Sequence, residues 1–501
     1  MTTLSRFTPG LYSAERQAGR LEDLRKSLDT LSRQLSTGRR AETLGEVGAA
    51  RSTLIDMRAQ LSRTTAYQSV NERGALRLSL MSGALDNLAK LGAAARRDAL
   101  TATGPETIET VGVRTTGARA NLAAALDQLN TDLDGQYLFA GRANDQVPVP
   151  DAGALLDGDG AAAGLRTLIA ERRAADKGDG LGRLTLDQTG ATVSLTEENP
   201  PTFGFKLKSM VSSLSGGTVT GPDGVPRAVS LSLSSTLAVG QTITLSLSLP
   251  DGSSESITLV AREVGQPGDA ASGFTIAGNL NDTAANLRAS LAAALAAKAD
   301  TALAAASSMV AAQDFFAATA DTPARRIDGP PYDTATGFAA SGSRPTMLWY
   351  QGDADPALTA RDSQRTTIDR GLTLGVGARA NEAPLQAMLA GFAVLGAEQP
   401  TTGDSHAVER FRALSDRAAS QWGPTALSGI VGDLSAASAA MASANERHQQ
   451  RANLFETAIA GIEQPSLEEL SASILSIQTR LEASYQVTAS IGRLSLASYL
   501  G

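Results

Sequence analysis

The stretch 21-LEDLRKSLDTLSRQL-35 decides how this chain is read. It sets Leu21, Leu24, Leu28, Leu31 and Leu35 in alternating steps of three and four, the a/d seam of a coiled coil about two heptads long. A helix with one apolar stripe needs a partner, and nothing nearby supplies one. The far end of the chain does. There 467-LEELSASILSIQTRL-481 repeats the pattern with Leu467, Leu470, Ile474, Ile477 and Leu481. Two matched seams at opposite ends predict that the termini pack on each other.

Magnitudes limit how stable such a pair is alone. Each buried Leu or Ile contributes ~1.5–3 kcal/mol. Ordering each of the ~15 residues of a seam costs about 1–2 kcal/mol of backbone entropy, so an isolated pair is marginal. Closing a loop of roughly 430 residues adds a cost of ~5 kcal/mol unless inner helices already bring the ends together. The terminal segments are therefore expected to be poorly ordered alone and completed by further copies. Their charges differ. Eleven charged side chains lie between residues 15 and 40, but only Arg480, Glu482 and Arg493 between 471 and 501. The last segment, with Leu475, Val487, Ile491, Leu494, Leu496 and Leu500, is apolar nearly all round and should be covered on several sides. The expected assembly interface comprises both seams with Ile491 and Leu494.

Between the seams the chain changes character twice. Helical spacing runs from about Arg51 to Leu100 through Leu54, Leu61, Leu76, Leu85, Leu88 and Leu91. It resumes after "TGPET", where Pro105 suits a first helical turn, and stops at 132-DLDGQYLFAGRANDQVPVP-150. From about 150 to 340 the period falls to two. Val229, Leu231 and Leu233 alternate with serines; Ile243, Leu245, Leu247 and Leu249 lead through "PDGS" to Ile257 and Leu259, a hairpin with one hydroxyl face. "NDTAANLRASLAAALAAKA" reads as a helix capped by Asp282 or Thr283. Helix returns in "NEAPLQAMLAGFAVLGA" and from about Leu427 to Ile462. The expected architecture is mainly α: a long antiparallel helical rod or coiled coil built by the two ends, with a central α+β insert. Its expected parts are 1–42 with 463–501, 43–145 with 375–462, and 146–374.

Composition excludes several chemistries. The net charge of −8 argues against a nucleic-acid binder. The chain has no cysteine, hence no disulfide and no thiolate metal site. His406 and His448 are the only histidines, and His448 in "NERHQQR" is expected on a solvated helix face. "DGDG" at 157–160 lacks the glutamate that would end a calcium loop, and "GLTLGVGARA" matches neither phosphate-binding fingerprint. No catalytic residue, metal or cofactor is expected. "LAAALAAKADTALAAASSMVAA" is cut by Lys298 and Asp300 and is too weakly apolar for a membrane span. The opening "MTTLSRFTPGLYSAERQ" lacks the apolar run of a secretory signal.

The layout resembles the bacterial flagellin superfamily. "LSRQLSTGRRAETLGEVGAARSTLIDMRAQLSR" is similar to the family's "LSTG" segment leading into its first rod helix, without the "SDDPAG"-type run. Gly135, Gln136, Tyr137, Leu138, Phe139, Ala140 and Gly141 resemble the "GxYLFSG" turn of hook-associated members. "LTLGVGARANEAPLQAMLAGFAVL" and the ending "LSLASYLG" resemble the return helix and terminus. The resemblance covers about 1–145 and 370–501. It implies a non-enzymatic structural subunit of the extracellular flagellum, exported without a cleaved signal. It further implies contacts with copies of itself, with a neighbouring hook-associated protein and flagellin, and with an export chaperone. Gly135, Tyr137, Phe139 and Gly141 then mark the rod end, where the aromatics either plug their own bundle, the favoured reading, or touch a neighbour. A role joining hook to filament is expected; the alternatives are a filament flagellin with a folded insert and a surface-binding protein using the insert.

Overall fold

The computed structural model describes residues 9–101, 106–266 and 268–500, the side chains of 9–14, 491, 492 and 494–500 excepted. The chain divides into two compact units. One joins Met1–Arg73, Thr367–Leu372 and Ala440–Gly501; the other joins Gly74–Thr366 and Thr373–Ala439. The protein is mostly helical, its long N- and C-terminal helices packed together and its centre rich in strand.

The helices of the first half are α1 (Pro9–Thr37), α2 (Arg51–Leu100) and α3 (Ile108–Leu129). Two short strands, β1 (Asp132–Leu133) and β2 (Gln136–Tyr137), then form a hairpin, followed by α4 (Ala152–Asp157) and α5 (Leu165–Lys177). α3 opens on a capping box in which Thr107 and Thr110 satisfy each other's backbone N–H groups. α2 covers the full span of its sequence pattern. Leu54, Met57, Leu61, Thr64, Gln68, Asn71, Ala75 and Leu78 recede from solvent in strict steps of three and four, and Leu85, Leu88, Gly92 and Ala95 continue the stripe. Leu76 is exposed, one position off that stripe.

The central segment carries β3 (Leu184–Thr189), β4 (Thr192–Glu197), β5 (Lys206–Ser212), β6 (Gly217–Asp223), β7 (Ala228–Leu233), β8 (Thr242–Ser248), β9 (Ser254–Arg262) and β10 (Gly273–Thr275). They form two four-stranded sheets, ordered β3-β4-β7-β6 and β10-β9-β8-β5. The alternating leucines face inward: Val229, Leu231 and Leu233 from one sheet and Ile243, Leu245 and Leu247 from the other share one core. The turn before β9 is held by Asp251, which accepts from Ser253 N–H and Oγ–H. α6 (Leu280–Lys298) closes this core and continues through a π-helical turn, Ala299–Leu303, into α7 (Ala304–Ala317). The cap of α6 is Asn279, which accepts from Asp282 N–H at 2.9 Å, and not the expected Asp282 or Thr283, which lie inside the helix. The run Leu280–Ala317 has the length and mean hydropathy (1.2) of a membrane-crossing helix, and 61% of its most apolar window is buried inside the protein.

Two short strands, β11 (Arg365–Asp369) and β12 (Leu372–Gly375), precede α8 (Ala383–Ala397), α9 (Ala407–Gln421), α10 (Ser428–Glu463) and α11 (Leu467–Leu500). α8 is apolar on every side and is packed by α3, α7 and α9, so it is the innermost helix of its unit. Its glycines allow close approach: a Cβ on Gly391 would meet Trp422 Nε1 at 2.9 Å.

Candidate assembly surface

In the smaller unit α1 and α11 run antiparallel. Arg40 N–H reaches Glu463 O at one end, and Arg25 reaches Tyr485 Oη (2.6 Å from Nη2) fifteen residues earlier. On α1 the half-buried positions are Gln17, Leu21, Leu24, Leu28, Leu31 and Gln34. Leu35, expected on the seam, is 46% exposed. A straight helix drifts about 20° per heptad from a 3.5-residue repeat, and Gln34 Nε2 bonds to Arg40 O at 2.7 Å, so Gln34 takes the inward place. On α11 Leu470 and Leu481 are buried and Ile474 and Ile477 half-buried, while Leu467 is 64% exposed. The side chains of Ile491 and Leu494 lie outside the described residues.

Within the same unit α2 and α10 also run antiparallel, through Arg58–Glu463 and Gln68–Gln449 contacts. α10 repeats the seam spacing with Leu434, Ala437, Met441, Ala444 and His448. His448 is therefore not on a solvated face; it is 1% exposed. Its ring stacks on Tyr67 at 5.4 Å between centroids, and Nε2 lies 2.8 Å from Ile368 O. Asn71 Nδ2 donates to the same carbonyl at 3.2 Å. Thr367–Leu372, the tip of the β11–β12 hairpin, is thus tied to both helices. Beside it, burial pushes the Asp369 carboxyl up, but Arg370 N–H, Arg451 and His448 outweigh this and leave it below its ordinary value.

This unit is short of core. Its buried apolar residues, among those described, are Leu54, Ile368, Met441, Ala444, Ala452, Leu470 and Leu481. Its exposed large apolar residues are more numerous: Leu35, Leu44, Ile55, Val70, Leu372, Leu454, Leu467, Leu475, Tyr485 and Val487.

The rod-end turn lies in the larger unit. Asp134 and Gly135 both have positive φ (54° and 76°), as a two-residue hairpin of matching twist requires, and Gly135 N–H bonds to Asp132 Oδ2. Tyr137 is half-buried and Phe139 fully buried. Phe139 O accepts from Ala380 N–H at 2.8 Å, and Gly141 N–H donates to Ala378 O, which clamps the turn to the segment entering α8. Arg142 grips Asp353 (2.9 Å) and Asp355 (2.8 Å), and Arg379 bonds Asp353 at 3.0 Å. The Arg142 guanidinium holds the Asp353 carboxyl down at about 2, with Arg379 adding to the effect against burial. Burial pushes the Tyr350 phenol, alongside, upward.

Residues 12–144 match the bacterial flagellin N-terminal helical region. This stretch is similar to that flagellin region. It spans α1 from its second turn, α2, α3 and the whole rod-end turn with Gly135, Tyr137, Phe139 and Gly141. No curated protein matches the chain.

The leucine spacing found the flagellin-type region's partner helices, but it missed His448 and Asn71. Both sit on a/d positions of their helices, which was the available signal. In the central segment a cleft of about 290 Å³ is lined by Asp179, Arg183, Glu198 and Asp333. Its cation is already engaged by Glu198 at 2.8 Å and by Ala335 O. Among the described residues no group of three or more His, Asp or Glu is arranged to hold a metal ion.

Proposed function

We propose that this protein is a structural subunit of the bacterial flagellum that assembles through its terminal helices, as the hook–filament junction protein, hook-associated protein 3, does. One observation carries the reading: the unit built from the two chain ends exposes more large apolar side chains than it buries. Such a surface is completed by copies of the same unit, and the flagellin-type region at 12–144 supplies the context. On this reading the terminal, rod and insert segments have separate roles: 1–42 with 463–501 assemble, 43–145 with 375–462 stiffen, and 146–374 faces outward. The subunit is non-enzymatic and is exported to the cell exterior without a cleaved signal. Its neighbours are further copies, an adjoining hook-associated protein and flagellin, with a chaperone before export. The "GQYLFAG" turn and the terminus favour the junction.

A filament flagellin with a folded insert is the second reading, favoured by the size of the central segment. Immunogold labelling of intact flagella separates the two: a band at the distal end of the hook supports the junction, and label along the filament supports the flagellin. Absence of label on flagella would overturn both.

A further inference from the structure

We propose that the loop joining α1 to α2 forms a socket for the first turn of α11 from a neighbouring copy of this chain. The proposal rests on the self-assembly reading above and names the contact. The loop is built rather than slack. Gln34 Nε2 bonds to Arg40 O, Arg40 N–H bonds to Glu463 O, and the Glu46 carboxylate accepts from Glu42 and Thr43 N–H. Those N–H groups hold the Glu46 carboxyl below its usual value. Gly38 and Gly48, at φ 65° and 67°, turn the chain at either end.

The result is a pocket of about 310 Å³ whose lining includes the apolar Leu44, Val47, Leu54 and Ile462 and the basic Arg39 and Arg40. Its other charges are mostly spent: Glu46 on the backbone and Glu463 on Arg58. Arg39 and Arg40 make no side-chain ion pair or hydrogen bond among the described residues, leaving two cations against Glu42. The occupant must therefore offer an apolar side chain next to carboxylates. The start of α11 offers that combination. Leu467 is 64% exposed, and Glu468 and Glu469 beside it are exposed and unpaired among the described residues. The chain does not fill its own pocket with Leu467. Two different patches of one unit thus meet head to tail, the kind of contact that builds rings or helical arrays instead of closed dimers.

The absence of cysteine permits a clean test. A Leu44→Cys chain mixed with a Leu467→Cys chain under assembling, oxidising conditions should give a disulfide-linked heterodimer, because a seated Leu467 would lie within disulfide reach of Leu44. Neither chain alone should cross-link. In parallel, Arg39→Glu with Arg40→Glu, and separately Glu468→Arg with Glu469→Arg, should each raise the critical concentration for assembly about tenfold. The chain carrying all four should return to within about threefold of the parent. Circular dichroism of each monomer checks that it is folded. If the parent assembles while the cysteine pair fails to link, or while both reversals assemble normally, the socket is wrong and the self-assembly reading stands. A parent that never assembles overturns both.

Discussion

His448 Nε2 and Asn71 Nδ2 converge on one buried carbonyl, that of Ile368, at 2.8 and 3.2 Å. Two helices from opposite ends of the sequence thereby hold the tip of a hairpin that belongs to neither. The two donors fill both lone pairs of that oxygen, so either can be lost while the carbonyl stays paired. Each single change, His448→Ala or Asn71→Ala, should cost about 1–3 kcal/mol in urea unfolding followed by circular dichroism. The double change should cost more than the sum by about 1 kcal/mol, since it leaves a fully buried carbonyl orphaned. Strict additivity would mean that the shared carbonyl does not couple the pair.

How far this was legible in the sequence depends on the period. Leucine spacing gave α2 end to end, and alternation gave β7, β8 and β9, because an apolar stripe must face a core. It did not reveal His448, since a polar residue within "NERHQQR" looks solvated until its place after Met441 and Ala444 is counted. Nor did it reveal that Thr367–Leu372 would cover His448: the partner lies about 80 residues away and carries no pattern of its own. Leu35 and Leu467 fit the seams by spacing alone, whereas each stands at a helix end where the stripe has drifted or not yet begun.

Asp353 makes the larger unit acid-sensitive. Its folded pKa is depressed to about 2 from an ordinary 3.8. A depressed carboxyl contributes stability that is complete above about pH 4 and is lost as the pH falls towards 2. Arg142 is half exposed and solvent screens part of the attraction, so the contribution is about 1–2 kcal/mol. Thermal unfolding between pH 5 and 2 should fall more steeply for the parent than for Asp353→Asn, which starts lower and varies less. Parallel curves would remove Asp353 from the account.

Leu28 and Leu31 test the terminal seam. They are half-buried and belong to the unit with the thin core. Leu28→Asp with Leu31→Asp should block polymerisation while moving the main melting transition by no more than about 2 °C. Electron microscopy and calorimetry of the same preparation read both. A much larger drop would show that the seam already stabilises the free chain.

The central segment tests how separable an insert is. If it were merely peripheral, removing residues 165–330 would leave the rest folded. Its helices argue otherwise: α5 packs on α7, and α7 lies against α8. Deletion would bare part of a helix whose buried residues include Leu385, Met388, Leu389, Phe392, Val394 and Leu395. Each large side chain returned to water costs ~1.5–3 kcal/mol, and a domain has only about 5–15 kcal/mol to lose. The deletion should yield an insoluble chain, or a soluble one without a cooperative melt. Replacing only the β6–β7 turn, 224–227, where Val225 is fully solvated, by a short glycine–serine link should leave the melt unchanged within about 2 °C. A soluble, cooperatively melting 165–330 deletion would show that α8 is held by α3 and α9 alone.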